Sequence, residues 1–203
     1  MTRQAALDLT QALVARFLSN RAEYVHPNYN ETLLRTDFLN PFLEALGWDV
    51  HNQKQLSQGH REVVHEDTVT VQDGNDELQK KPDYSVRLGG ERKYFIEAKK
   101  PSVDIENHRA SAFQVRRYGW NARLAVSVLT NFDKLIIYDC RPRPQATDDV
   151  RVARLKVYDC AEYGAKFDEI YDQLSHNAVY TGAFDTHFPV DREIDGSEPF
   201  DAY

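Results

Sequence analysis

The stretch from Lys81 to Pro101, KPDYSVRLGGERKYFIEAKKP, constrains the fold more than any other part of the chain. Tyr84, Val86 and Leu88, and then Tyr94, Phe95 and Ile96, are the β-branched and aromatic types that pleated strands accommodate. Gly89-Gly90 between them supplies the positive φ of a tight turn. A hairpin is predicted, its first strand opening on Pro82-Asp83 and its second closing on Glu97-Ala98-Lys99. Strand side chains alternate between faces, so Glu97 and Lys99 leave one face and Ala98 the other. The hairpin returns Asp83 beside them. Two carboxylates and an ammonium then share a small volume, which costs repulsion and desolvation unless something binds there, and a divalent cation is the natural occupant.

Register makes this reading specific. With a turn of Gly89-Gly90 alone, Asp83 falls opposite Ile96 and points away from Glu97. A three-residue loop from Gly89 to Glu91, or a bulge, sets Asp83 opposite Glu97 on the same face. The second arrangement is the expected one.

The remaining sequence supplies flanking elements. Residues from about Thr2 to Asn20 place Leu9, Leu13, Phe17 and neighbouring apolar residues on a helical stripe. A second helix is predicted from about Glu31 to Leu46, with Asn30 as N-cap, Gly47 as C-cap and a kink or restart at Pro41. Glu31 falls in its first turn, where the helix dipole alone favours an acid. Trp48-Asp49-Val50 predicts the start of a strand. Glu62 to Val64 and Thr68 to Val71 are short strand candidates, followed by an exposed turn over QDGNDELQKK. A helix from Asn107 to Trp120 carries Gln114 and Tyr118 on one face by their four-residue spacing. Arg109, Arg116, Arg117 and Arg123 make it the most basic neighbourhood, suited to phosphate contacts or to a solvated face. Strands are predicted at Leu124 to Thr130, Lys134 to Asp139 and Arg154 to Tyr158, and a helix from about Ala161 to Ser175. The fold class is α/β, a mixed central sheet flanked by helices, with a first unit over residues 1–176 and, over 177–203, an extended segment or a linker to further modules.

Composition narrows the function classes. No run is long and apolar enough to span a membrane, and the N-terminus lacks the pattern of a signal peptide, so a cytoplasmic protein is expected. Cys140 and Cys160 form no CxxC pair, and His51, His60 and His65 lack the close pairing of a zinc site. A formal charge of −7 and a pI near 5.5 argue against a free-standing DNA binder, because phosphate neutralisation supplies most non-specific affinity. That objection weakens for a module of a larger enzyme that grips DNA elsewhere.

Pro82-Asp83 followed by Glu97-x-Lys99 resembles the PD-(D/E)xK signature of the restriction-endonuclease-like nucleases. Gln114-Val-Arg-Arg-Tyr118 resembles the QxxxY motif of the RecB-like branch. Upstream, Asn30-Glu31 and the run from Arg35 through Phe38, Pro41 and Leu46-Gly47-Trp48-Asp49 resembles the first helix of the nuclease module in type I restriction subunits and type IIG restriction-methyltransferases. The similarity keeps motif order over a core of about residues 30–141. It implies a Mg²⁺-dependent endonuclease, with Mn²⁺ able to substitute, acting on double-stranded DNA. It further implies metal ligation by Asp83, Glu97, the Ala98 carbonyl and Glu31, the last directly or through water. Lys99 is implied beside the metal as the residue that orients attacking water and stabilises phosphate charge. Gln114, Tyr118, Arg116 and Arg117 are implied to position substrate. Methyltransferase and specificity modules are the implied partners, and cutting both strands with one site each implies transient pairing of two copies. Two alternatives remain: a catalytically silent docking or DNA-positioning module, and a phosphodiesterase acting on RNA or single strands.

Overall fold

The Thr2 hydroxyl accepts from the Ala5 N–H at 3.2 Å and starts helix α1 (Arg3–Ser19), which buries Leu13, Val14 and Phe17. The chain is seen in a computed structural model that describes residues 1–73 and 76–189. A single turn, α2 (Arg21–Tyr24), follows. Asn30 then caps α3 (Glu31–Leu34) by accepting from the Leu33 N–H at 2.9 Å. From there the helix runs through a π-helical segment (Arg35–Leu39) into α4 (Asn40–Ala45). The irregularity predicted at Pro41 is therefore present, as a widened turn just before the proline. Pro41 has no N–H for the Asp37 carbonyl one turn back, and that carbonyl instead accepts from the Arg16 guanidinium of α1. Gly47, at φ +90°, ends the helix in a Schellman motif: its N–H meets the Glu44 carbonyl, and the Trp48 N–H meets that of Leu43.

Six strands form one sheet in the order β1 (Val63–His65), β4 (Tyr84–Leu88), β5 (Glu91–Ala98), β6 (Val126–Thr130), β7 (Lys134–Asp139) and β8 (Arg154–Asp159). Among the described residues only the β5–β6 pair is parallel, and the connection between them carries α5 (Arg109–Asn121), as a parallel crossover requires. β2 (Val69–Asp73) and β3 (Asp76–Lys80) pair as a separate hairpin. Three further helices follow among the described residues, α6 (Phe167–Leu174), α7 (His176–Tyr180) and α8 (Ala183–His187).

The sheet separates two cores. Tyr84, Val86, Tyr94, Ile96, Ala98, Val128 and Ile137 pack with α1, the α3–α4 helix and α6 to α8. On the opposite face Leu129, Ile136 and Tyr138 meet Ala112 and Val115 of α5, while Phe95 packs with Tyr118 and the Val69 and Val71 of the small hairpin. Gly119 lets α5 lie close on the sheet: a Cβ there would sit 2.4 Å from Cys140 Sγ and 2.5 Å from Ser127 Oγ.

Several sequence expectations need correction. Trp48-Asp49-Val50 is not a strand. Trp48 is buried and donates through Nε1 to the Leu174 carbonyl at 2.9 Å, while the Asp49 carboxylate accepts from the N–H groups of Gln53 and Lys54 and folds a loop. Much of the stretch read as an exposed turn after Val71 is β3, paired from Val69↔Lys80 to Asp73↔Asp76, and residues 74–75 lie outside the described residues. The helix predicted from about Ala161 begins only at Phe167, after a 3₁₀ turn that buries Cys160. Residues 177–188 are not extended. Ser175 caps α7 and Phe184 seals α8 against Tyr94 at a ring separation of 5.9 Å, whereas 190–203 lie outside the described residues.

Candidate active site

The β4–β5 turn is Gly89-Gly90, at φ +62° and +91°, and Leu88 pairs with Glu91. Pairing then runs Arg87↔Arg92 but Val86↔Tyr94, so Lys93 is an extra residue in β5, a β-bulge. From there Ser85↔Phe95 and Tyr84↔Ile96 follow, and one further step sets Asp83 across from Glu97. The bulge delivers the same-face register the sequence called for. Ala98 faces the helical core, while Glu97 and Lys99 face α5.

The three side chains converge through short polar contacts. Asp83 Oδ2 accepts from the Ala98 N–H at 2.7 Å. Lys99 Nζ lies 2.6 Å from Glu97 Oε1, and Gln114 Nε2 donates to that same oxygen at 2.7 Å. Gln114 Nε2 also lies 2.9 Å from the Tyr118 hydroxyl, so the two α5 residues reach the site as a connected pair. The other oxygen of Glu97, Oε2, is buried and has no hydrogen-bond partner among the described residues. A buried carboxylate oxygen left in that state costs free energy, and a cation would satisfy it.

Electrostatics mark the same residues. Burial, reinforced by the negative charge of Asp83, pushes the Glu97 carboxyl up to about 7. Burial raises Asp83 as well, against the opposing Ala98 N–H, Arg35 and Lys99. Burial depresses the Lys99 ammonium, but the attraction of Glu97, Glu31 and Asp83 outweighs it and holds the amine above the ordinary lysine range. Glu31, in the first turn of α3, acts electrostatically on all three. It does not join Asp83 and Glu97 in a cage: no three His, Cys, Asp or Glu side chains among the described residues gather closely enough to hold an ion by themselves.

The arginines divide. Arg116 is 2% exposed and pairs with Asp148 at 2.7 Å, so it braces α5 to the β7–β8 connection and does not face a substrate. Arg117, half-buried, lies over the Phe113 ring at 5.2 Å. Arg109 donates to the Ala146 carbonyl at 2.7 Å. Arg35 belongs to the site although its chemistry was not assigned from sequence: Nη1 lies 3.3 Å from Asp83 Oδ1. Its four-residue spacing from Glu31, on a helix already placed near the acids, was the available signal.

Among the described residues no helix is long and apolar enough to cross a membrane. No solved structure matches the chain. The Type II restriction enzyme and methyltransferase RM.Eco57I of Escherichia coli is 45% identical over 181 residues, covering 89% of this chain but 18% of that relative's length. The family described as Type I restriction enzyme R protein N terminus matches residues 28–146, more than half of the sequence and a span that includes Asp83, Glu97, Lys99, Gln114 and Tyr118. By that match, the chain belongs to the family of type I restriction enzyme R protein N-terminal domains.

Proposed function

We propose that the chain is the nuclease module of a restriction-modification enzyme, a Mg²⁺-dependent endonuclease domain of restriction-endonuclease-like fold that hydrolyses phosphodiester bonds of double-stranded DNA. The observation that carries this reading is the convergence of Asp83, Glu97 and Lys99, together with a buried second Glu97 oxygen that has no hydrogen-bond partner among the described residues. Two hard carboxylate donors suit Mg²⁺, which needs few protein ligands because it keeps several waters. Asp83, Glu97 and the Ala98 carbonyl would hold the ion, with Glu31 acting through water; Mn²⁺ would substitute. When bound, the ion supplies charge neutralisation at the phosphate and acidifies water.

The chain's own residues have separate tasks. Gln114 holds Glu97 Oε1 from α5, and Tyr118 holds Gln114, which fixes the carboxylate against rotation. Lys99 keeps its ammonium beside the same oxygen, positioned to orient a water for in-line attack and to stabilise charge growing on the phosphate. Cleavage in this sense leaves a 5′-phosphate and a 3′-hydroxyl. The net charge of −7 accords with a module whose DNA grip, methylation and sequence recognition reside in other parts of a longer enzyme. The fused restriction and methyltransferase functions in the name of the relative support that context. One site per chain would require two copies to pair transiently for a double-strand break.

The test is nicking of supercoiled plasmid in Mg²⁺ by the chain and by Lys99→Ala. Metal-dependent nicking by the parent and its loss in the variant are expected. Equal nicking by a rigorously purified Lys99→Ala preparation would remove the mechanism.

A further inference from the structure

We infer that Arg35 is a positioning residue for Asp83, a fixed brace that sets the carboxylate for ion binding. The inference rests on the proposed metal-dependent site. Arg35 opens the π-helical segment, where the Asn40 N–H reaches back to the Arg35 carbonyl. Such widened turns re-aim side chains and recur at functional sites. Here the segment aims the guanidinium between the helix and the sheet. Nη1 meets Asp83 Oδ1 at 3.3 Å and Nη2 meets His65 Nδ1 at 3.1 Å. The guanidinium carbon lies 5.1 Å from the centroid of the Tyr84 ring, and Glu66 Oε1 approaches Nη1 at 3.8 Å.

These contacts decide what Arg35 does. Both terminal nitrogens have partners, so the guanidinium is not an idle fork waiting for a phosphate. A carboxylate has about four acceptor directions on its two oxygens. Arg35 takes one on Oδ1 and the Ala98 N–H takes one on Oδ2, which fixes the plane of the group and leaves a direction on each oxygen for an ion. The brace comes from β1, the start of β4 and the π-helical continuation of α3 together, and so ties Asp83 to the helix that carries Glu31. Two effects of opposite sign are separable. As a positive charge Arg35 repels a cation, so removing it would tighten binding; as an orienting partner it promotes binding, so removing it would weaken it. Loss of an orienting outer partner ordinarily costs roughly 10- to 100-fold in metal affinity.

Calorimetric titration of the chain with Mn²⁺ alone distinguishes these. Arg35→Ala is expected to bind about tenfold or more weakly, and Arg35→Lys, which keeps the charge but cannot bridge Asp83 and His65, is expected to fall between it and the parent. Unchanged or tighter binding in Arg35→Ala would overturn the inference. Should that variant fail to fold, parent-like affinity in Arg35→Lys would overturn it equally. Asp83→Asn separates the two levels. If the parent binds no Mn²⁺, or Asp83→Asn binds it as well as the parent, the metal-site reading falls and this inference with it. If Asp83→Asn loses the ion while both Arg35 variants match the parent, the inference alone falls.

Discussion

Asp83 Oδ2 accepts a 2.7 Å hydrogen bond from the Ala98 N–H, across a hairpin in which β5 contains one residue more than β4 needs. Without the extra Lys93, the Gly89-Gly90 turn would set Asp83 opposite Ile96, and its carboxylate would leave the face that holds Glu97. The bulge is therefore what converts two acids fourteen residues apart in sequence into neighbours.

Glu97 gives a pH signature in the metal-free protein. Its folded carboxyl sits at about 7, above the ordinary glutamate value, so the folded state holds a proton that the unfolded chain has already lost. The contribution of Glu97 to stability is greatest below the unfolded value, near 4.5, declines as pH rises toward 7 and is level above that. The melting temperature of the parent relative to Glu97→Gln should fall over that interval and then flatten. A difference that is constant across it would show that Glu97 ionises as an exposed acid does.

Gln114→Ala removes the α5 donor from Glu97 Oε1 but leaves Lys99 in place. Stability should change by about 1 kcal/mol, the ordinary worth of one such bond. Nicking should fall by at least about tenfold, because the carboxylate loses an orienting partner. Melting curves and plasmid assays on one preparation compare the two effects.

Gly119→Ala tests how closely α5 must approach the sheet. The added methyl meets Cys140 and Ser127 well inside contact distance, and relief requires the helix to lift. Overpacking of this kind costs about 1–3 kcal/mol, measurable by urea denaturation. The same lift carries Gln114 away from Glu97, so nicking should decline even at temperatures where the variant is folded.

Arg116→Met should destabilise by roughly 2–4 kcal/mol, since it leaves Asp148 without its buried partner. Nicking by the folded fraction should match that of the parent, in contrast to Lys99→Ala. A large loss of nicking with unaltered stability would return Arg116 to a substrate-positioning role.

The hairpin and the α5 pair could be read from sequence because local rules act there without competition. Gly-Gly fixes the turn, strand alternation separates Glu97 from Ala98, and helical spacing aligns Gln114 with Tyr118. Failures occurred where distant packing overrides local preference. Trp48 and Val50 have strand-like side chains, but Trp48 is anchored to the Leu174 carbonyl 126 residues away. Arg116 belongs to a basic cluster in sequence, yet its place on α5 turns it inward to Asp148, while the adjacent Arg117 points elsewhere and lies over Phe113. Arg35 sat in a recognised motif, but its partners come from β1 and the start of β4, a convergence no linear spacing encodes.

Crystals of the protein soaked in Mn²⁺ and measured for anomalous scattering test the central claim most directly. A peak is expected between the carboxylates of Asp83 and Glu97, within bonding distance of Glu97 Oε2. A map with no peak there at saturating Mn²⁺, or a peak held by other residues, would contradict it.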